Sequence, residues 1–130
     1  MRQLRLSLIT ACVMACAPAF AADTMAKGEY KAEKDRIKAT HKVDLKACEA
    51  MKDNAKDVCK KEVQGKEKVA LAELEHKNSG KPDDMKKLAK VKSQAAYDVA
   101  KERCDDQSGP AKDACQATAK AEFEKAKAGT

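Results

Sequence analysis

Residues 48–59 read CEAMKDNAKDVC, and residues 104–115 read CDDQSGPAKDAC. In each stretch the two cysteines are 11 positions apart, and the stretches are offset from one another by 56 positions. The segment AKDVC that ends the first stretch becomes AKDAC in the second. In a chain this rich in alanine and lysine, matches of these two residues arise easily by chance. Two cysteine pairs at the same offset are much harder to explain by chance. The pattern indicates a duplicated unit of helix, cysteine, turn, cysteine and helix.

The four cysteines of these stretches allow three disulfide pairings. We predict the local pairing, in which Cys48 bonds Cys59 and Cys104 bonds Cys115. Bonds that run between the two stretches are the alternative. Each local bond would stabilise the fold by roughly 2.5–3 kcal/mol through the loop that it closes.

Local pairing requires the chain to reverse between the cysteines of each stretch. A disulfide needs Cα atoms within about 7 Å, whereas a continuous helix separates residues this far apart by about 16 Å. In the second stretch Gly109 and Pro110 provide a clear helix break, and in the first Asp53 and Asn54 provide a weaker one. We therefore expect each bond to pin two antiparallel helices beside their connecting turn.

The composition favours helices in the rest of the chain. Ala, Lys, Glu and Gln are strong helix formers, they dominate residues 22–130, and no segment there alternates like a half-buried strand. The strongest loop signal is NSGKPD at residues 78–83, after which Asp83 or Asp84 can cap a helix. We predict helices over residues 26–51, 55–77, 85–105 and 110–127.

The expected fold is all-α, with two helical hairpins that are each pinned by one disulfide. Residues 22–77 form the first hairpin unit, residues 78–84 a linker and residues 85–130 the second hairpin unit. Leu, Ile, Val and Phe are scarce after residue 21, and aromatic residues make up only 3% of the chain. Because burying one large apolar side chain contributes about 1.5–3 kcal/mol, we predict a thin core in a loosely packed or extended pair of hairpins.

The first 21 residues have the anatomy of a cleaved secretory signal peptide. Arg2 and Arg5 form a basic start, an apolar run covers residues 6–16, and residues 19–21 have the Ala-x-Ala pattern of a cleavage site. The apolar run is too short for a stable membrane-spanning helix, and we expect no transmembrane segment in the mature chain. This interpretation predicts export to the periplasm, and the alternative is a lipoprotein anchored through Cys16.

The sequence shows no catalytic or metal-binding constellation. The spacing of the cysteines is too wide for a structural zinc site, which takes paired thiolates from one tight turn. His41 and His76 lack partners at ligand spacing, and no nucleophile motif, metalloprotease motif or phosphate-cradling glycine loop occurs. We therefore expect no catalytic residues, no metal, no cofactor and no enzymatic activity.

One charged feature has a regular pattern, and we call it the lysine stripe. Its members recur at spacings of three and four residues, so they share one side of a helix about five turns long. An ordinary solvated face is one interpretation, because Glu29, Glu33 and Asp35 are close in sequence. Docking onto an anionic envelope component or an acidic protein is the other. The stripe consists of Lys27, Lys31, Lys34, Lys38, Lys42 and Lys46.

Several segments resemble small exported Lys/Ala-rich helical proteins of Gram-negative proteobacteria, some of which are labelled TolA-like or cell-envelope proteins. They are YKAEKDRI at residues 30–37, the paired segments at residues 55–59 and 111–115, and YDVAKERC at residues 97–104. The resemblance covers most of the chain after residue 21 and implies a Gram-negative periplasm. It brings no catalytic residues, and we expect no counterpart of the TolA transmembrane anchor.

These observations favour a non-enzymatic periplasmic protein with a structural or interaction role in the cell envelope. A second hypothesis is a stress-responsive, holdase-like or ion-buffering protein that works through a flexible charged surface. The chain carries a net charge of +6 at neutral pH. An exported protein meets no nucleic acid, so we expect none as a partner.

Expression of the full chain in a Gram-negative host should yield a mature protein that begins at Ala22 or very near it, because signal peptidase reads the pattern at residues 19–21. Intact mass and N-terminal sequencing of the periplasmic fraction measure this start. A mature form that retains Met1 would contradict export by this route, and a diacylglyceryl mass on Cys16 would select the lipoprotein alternative.

Overall fold

The computed structural model describes residues 25–129 as four long α-helices without a strand. A short 3-10 turn, Cys104–Asp106, follows the third helix. The all-α prediction is confirmed, whereas the predicted signal peptide and Cys16 lie outside the described residues. The helices are α1 (Lys27–Cys48), α2 (Asp53–Ser79), α3 (Pro82–Arg103) and α4 (Gly109–Ala128).

The helices form an open row in which each helix packs on its neighbours in sequence. α1 packs on α2, α2 packs most extensively on α3, and α3 packs on α4. Within residues 25–129, α1 and α4 share no substantial contact. Since short connections make neighbouring helices antiparallel, the row consists of the hairpins α1–α2 and α3–α4, joined side by side through α2 and α3.

The connection between the hairpins is shorter than the linker predicted at residues 78–84. α2 continues to Ser79, and Gly80 caps it in the left-handed conformation, with its N–H donated to the carbonyl of His76 at 2.8 Å. α3 already begins at Pro82, a residue suited to the first helical position because no N–H donor is needed there. The glycine and the proline act as adjacent stop and start signals, so the loop between them is minimal.

The helix ends also differ from the predicted bounds by a few residues. Lys81 holds the cap position of α3, and Asp83 and Asp84 lie in its first turn instead of capping it. α1 ends at Cys48, before the predicted end at residue 51, and α2 begins at Asp53. The first turn therefore occupies residues 49–52, earlier in the chain than the break predicted at residues 52–54.

The core is thin, as predicted. Cys48 and Cys104 are 0% exposed and are the most completely buried side chains. In the described part of the chain no polar or charged residue is buried, so the core consists of apolar groups. Its members are Ile37, Cys48, Val63, Ala72, Leu74, Cys104 and Ala119.

Gly65 allows α2 and α3 to approach closely in the middle of the row. It is buried, and a Cβ built on it would lie 3.1 Å from the Cβ of Ala95, which is tighter than an ordinary contact. A glycine inside a helix costs about 1 kcal/mol relative to alanine. The glycine lies where the two hairpins cross, and Gly65 and Ala95 together allow the close approach of α2 and α3 there.

The turns of the two hairpins contain a left-handed residue at equivalent positions, 56 residues apart. Asp53 has a φ of 51° and Gly109 a φ of 56°. Residues with a Cβ are strained in this region, although Asp tolerates it better than most. The first turn thus holds an L residue where the second turn holds glycine, which adopts the conformation freely.

Gly109→Ala should lower the free energy of unfolding by about 1–2 kcal/mol, because alanine is strained in the left-handed conformation. Gly28 is a matched control: a Cβ on either glycine would have nothing within 4 Å, but Gly28 lies in α1 and lacks a positive φ. Gly28→Ala should leave stability unchanged or raise it by up to about 1 kcal/mol. Urea unfolding followed by circular dichroism measures both. Equal shifts in the two variants would contradict the assigned cause.

Candidate interaction surface

Both disulfides join the ends of neighbouring helices across a turn. Cys48 and Cys59 have Cα atoms 5.6 Å apart, and the same separation holds for Cys104 and Cys115. These values lie in the ordinary range for a disulfide. The local pairing predicted from the sequence is confirmed, and each bond holds the end of one helix beside the start of the next.

A carboxylate also bridges each turn, and we call the carboxylate with its donors a turn clamp. In the first hairpin, Nζ of Lys56 lies 2.5 Å and Nζ of Lys60 3.0 Å from the Glu49 carboxylate. Hydrogen bonding, first to Lys56 and then to Lys60, holds the pKa of Glu49 below its ordinary value. The clamp therefore favours the ionised form of Glu49 in the folded protein.

The second hairpin repeats the clamp at the same positions of its unit. Nζ of Lys112 lies 2.8 Å from the Asp105 carboxylate. Hydrogen bonding to Lys112 lowers the pKa of Asp105, and the same bond raises the pKa of Lys112. Gln116, at the position equivalent to Lys60, contributes a further hydrogen bond that lowers the pKa of Asp105. Each of the two turns thus has its own disulfide, left-handed residue and clamp, at equivalent positions.

Between the helices of each hairpin, equivalent positions have different chemistry. In the first hairpin, Nδ1 of His41 lies 3.3 Å from Oε2 of Glu67, without hydrogen-bond geometry. At the equivalent positions of the second hairpin, the rings of Tyr97 and Phe123 stack with centroids 4.9 Å apart. The first hairpin therefore has a polar contact where the second has an aromatic one.

The structure exposes five of the six lysines of the stripe on α1, and Lys34 is half-buried. Among the described residues, no carboxylate lies within 4.0 Å of any of the six. Of the acidic residues close in sequence, Glu33 pairs with Arg36 instead. Each of the other three helices contributes ion-paired lysines: Lys56, Lys60 and Lys61 in α2, Lys87 and Lys92 in α3, and Lys112 and Lys127 in α4.

The lysine stripe runs along one flank of α1. Ile37 and Cys48 are buried against α2, and at about 100° per residue the mean direction of the stripe lies roughly a quarter turn away from theirs. The ammonium groups therefore follow the length of α1 beside its packed face. Their arrangement provides an extended line of positive charge.

An open groove of about 530 Å³ lies between the N-terminal half of α1 and the C-terminal half of α2. Ile37 and Leu74 line it together with charged side chains of both signs, including Arg36 and Lys77. The groove contains no hydroxyl, thiol or imidazole group that a base could activate as a nucleophile. Within residues 25–129, no three His, Cys, Asp or Glu side chains are grouped so that they could hold a metal ion.

The helices of residues 25–129 all lack the combination of length and apolar character that crossing a bilayer requires. No protein-family model, curated protein or solved structure matches the chain. What the surface can do is therefore inferred from its own geometry and charge.

The sequence predicted the cysteine pairs and the lysine stripe but not the turn clamps. A signal for the clamps existed, since Glu49 and Asp105 each follow the first cysteine of a pair, and Lys56 and Lys112 occupy the matching AKD segments. The contact of His41 had no such signal, because its partner is on another helix and the equivalent pair has a different chemistry.

Acid should weaken the fold partly through the turn clamps. A carboxyl whose pKa is lowered by folding stabilises the native state at neutral pH, and this contribution is lost as the pH falls through the carboxyl range, about 4 and below. In the variant Glu49→Gln with Asp105→Asn, the melting temperature should therefore fall less between neutral and acid pH than it does in the parent protein.

The control for this measurement is Glu29→Gln with Asp106→Asn, which removes two carboxyls that make no ion pair among the described residues. Its melting temperature should follow the parent's dependence on pH. Parallel curves for the clamp variant and the parent would show that the clamps do not contribute to acid sensitivity.

Proposed function

We propose that this protein is a non-enzymatic, exported protein of the cell envelope that docks onto an anionic envelope component through the lysine stripe of α1. The exposure of the stripe without neighbouring carboxylates carries this proposal. Asp35 is spaced to pair with Lys31 or Lys38 along the helix, yet it contacts neither within 4.0 Å. The positive charge of α1 is therefore left available to an external partner.

The helix that carries the stripe is folded before any partner arrives. It extends over about 28 Å at 1.5 Å per residue, and α1 is held along its length by α2 and at its end by the disulfide of Cys48. Ordering flexible groups on binding costs free energy, so a preformed array binds with a smaller loss. A partner with regularly spaced negative charges fits such an array best, and phosphate-bearing lipid surfaces and carboxylate-bearing glycan polymers both have this character.

Electrostatics set the expected strength of this docking. Each lysine near an anionic surface contributes about 1 kcal/mol, so several lysines acting together suffice for reversible attachment. Salt screens such contacts over about 8 Å at physiological ionic strength. Docking through the stripe should therefore weaken steeply as salt is added.

The holdase-like alternative has less support in the described surface. A holdase needs contiguous exposed apolar area. The exposed large apolar side chains are Val43, Met51 and Met85, and Met85 lies on a different helix from Val43. Scattered residues of this kind are normal on a soluble surface.

Replacing four lysines of the stripe by glutamine (Lys31→Gln, Lys38→Gln, Lys42→Gln and Lys46→Gln) should reduce binding to an anionic surface by at least about tenfold. Glutamine has nearly the same helix propensity as lysine, so the helix should persist. Co-sedimentation of the mature protein with vesicles containing lipid A, and separately with peptidoglycan sacculi, measures the binding and identifies the surface.

The matched control changes four exposed lysines outside the stripe that also make no ion pair among the described residues, namely Lys68, Lys86, Lys90 and Lys120. It removes the same net charge but leaves the array intact, so it should bind within about twofold of the parent. Equal losses of binding in the two variants would show that binding depends on net charge and not on the stripe. No binding to either surface, while the parent suppresses aggregation of an unfolded client, would favour the holdase-like alternative.

A further inference from the structure

The row of helices is open at both ends, so α1 and α4 each expose one long side. The outer side of α1 includes Ala39 and Val43, and Val43 is 66% exposed. The outer side of α4 includes the exposed residues Ala114 and Ala121. Within residues 25–129, the substantial contacts of α1 are with α2, and those of α4 are with α3 and the 3-10 turn.

The interface between α2 and α3 shows how such sides pack in this protein. Gly65 of α2 meets Ala95 of α3 at the crossing point. One turn further along each antiparallel helix, Val69 and Val91 lie at the same level. Val69 also lines a shallow apolar groove with Ala95 and Val99.

The offset of 56 residues relates the two sides of this interface to the two exposed sides. It already relates the disulfides, the left-handed residues and the turn clamps of the hairpins. The same offset carries α2 onto α4 and α1 onto α3. The side of α2 that faces α3 therefore corresponds to the outer side of α4, and the side of α3 that faces α2 corresponds to the outer side of α1.

We propose that the outer sides of α1 and α4 are docking surfaces for a second copy of this chain. α4 of one copy packs antiparallel on α1 of the next, in the arrangement that α2 and α3 have within the chain. The contact is head-to-tail, so a pair of copies keeps one unused α1 side at one end and one unused α4 side at the other, and association extends the row. This inference goes beyond the anionic docking proposed above and does not depend on it.

Charge complementarity supports a second copy as the occupant. The positions of Val69 and Val91 in the internal interface are taken by Lys125 on α4 and Asp35 on α1. In the same arrangement these two side chains lie at one level, so two valines at one level within the chain become a pair of opposite charges between copies. Both side chains are exposed, and neither makes an ion pair among the described residues.

The apolar residues of the surfaces also correspond. Val43 occupies the position of Val99, so docking would cover the most exposed large apolar side chain of the described residues. Ala39 and Ala121 would meet at the crossing point. Because Ala121 stands where α2 has Gly65, its Cβ sets the helices a few tenths of an ångström further apart than α2 and α3.

The contact between copies is weaker than the internal interface. It lacks ion pairs such as that of Glu62 and Arg103, whose atoms are 2.6 Å apart, and it brings Lys42 near Lys120 at one edge. Association is therefore reversible and rises with concentration.

Sedimentation velocity of the oxidised mature protein, from micromolar to millimolar concentration, tests the proposal. The parent should show a rising weight-average mass. The variants D35K and K125D should each associate about tenfold more weakly, because one attractive pair becomes repulsive. An equimolar mixture of the two variants should recover association, since every altered surface then meets one of opposite charge, and the double variant D35K/K125D should recover it alone.

The exposed positions Asp106 and Lys90 lie outside both surfaces and provide the control pair D106K and K90D. These variants should associate like the parent, and circular dichroism should show all variants equally helical. A parent that stays monomeric at millimolar concentration would overturn the proposal. So would association that D35K and K125D leave unchanged, or a mixture that associates no better than its components.

Discussion

Two disulfides hold the chain reversals on which the packing of every helix in the row depends. The helices bury few large apolar side chains, and the cysteines Cys48 and Cys104 are themselves the most deeply buried groups. Closing a loop of this length contributes roughly 2.5–3 kcal/mol, against a net stability of about 5–15 kcal/mol for an ordinary small domain. The left-handed residues and the turn clamps lie in the same short segments. The features that hold the chain reversals are therefore concentrated at the hairpin turns, and the long helices extend from these turns.

The two hairpins share a backbone design but occupy different places in the row. α2 packs on two neighbours, so Val63 and Leu74 are buried along with Gly65 and Ala72. α4 packs on one neighbour, and Ala119 is its one buried residue among those described. The same unit thus acquires a fuller core when it is placed in the middle, because burial depends on neighbours as well as on the unit's own sequence.

Local signals made much of the fold predictable. The cysteine spacing required a turn inside each pair, and the glycine and proline residues marked where helices stop and start. The bond geometry and the all-α architecture followed from these signals. The interface between the two hairpins was harder to predict from the sequence. Gly65 and Ala95 contribute shape and little hydrophobicity, and no periodic pattern distinguishes a close crossing of helices from an exposed run of small residues. The predicted linker at residues 78–84 was too long for a related reason: the same residues that form loops also form tight helix caps.

The position of the candidate surface was predictable from the sequence, but whether its lysines are ion-paired was not. The spacing of the stripe placed its lysines on one side of α1, yet whether a lysine is neutralised depends on the side chains that tertiary packing brings near it. Asp35 illustrates the difference. Its spacing allows pairs with two lysines of its own helix, but its side chain remains unpaired among the described residues.

The disulfides join cysteines that are consecutive in the described chain, and this affects how they form. A chain that emerges N-terminus first, from a ribosome or through a membrane pore, presents Cys59 as the next thiol after Cys48, well before Cys104 follows. Among these four cysteines, an oxidant that joins thiols in their order of appearance makes the Cys48–Cys59 bond first and then joins Cys104 to Cys115. Exchange of wrongly paired disulfides is slow, taking seconds to hours. For these four cysteines, the order of appearance along the chain is also the order of native pairing.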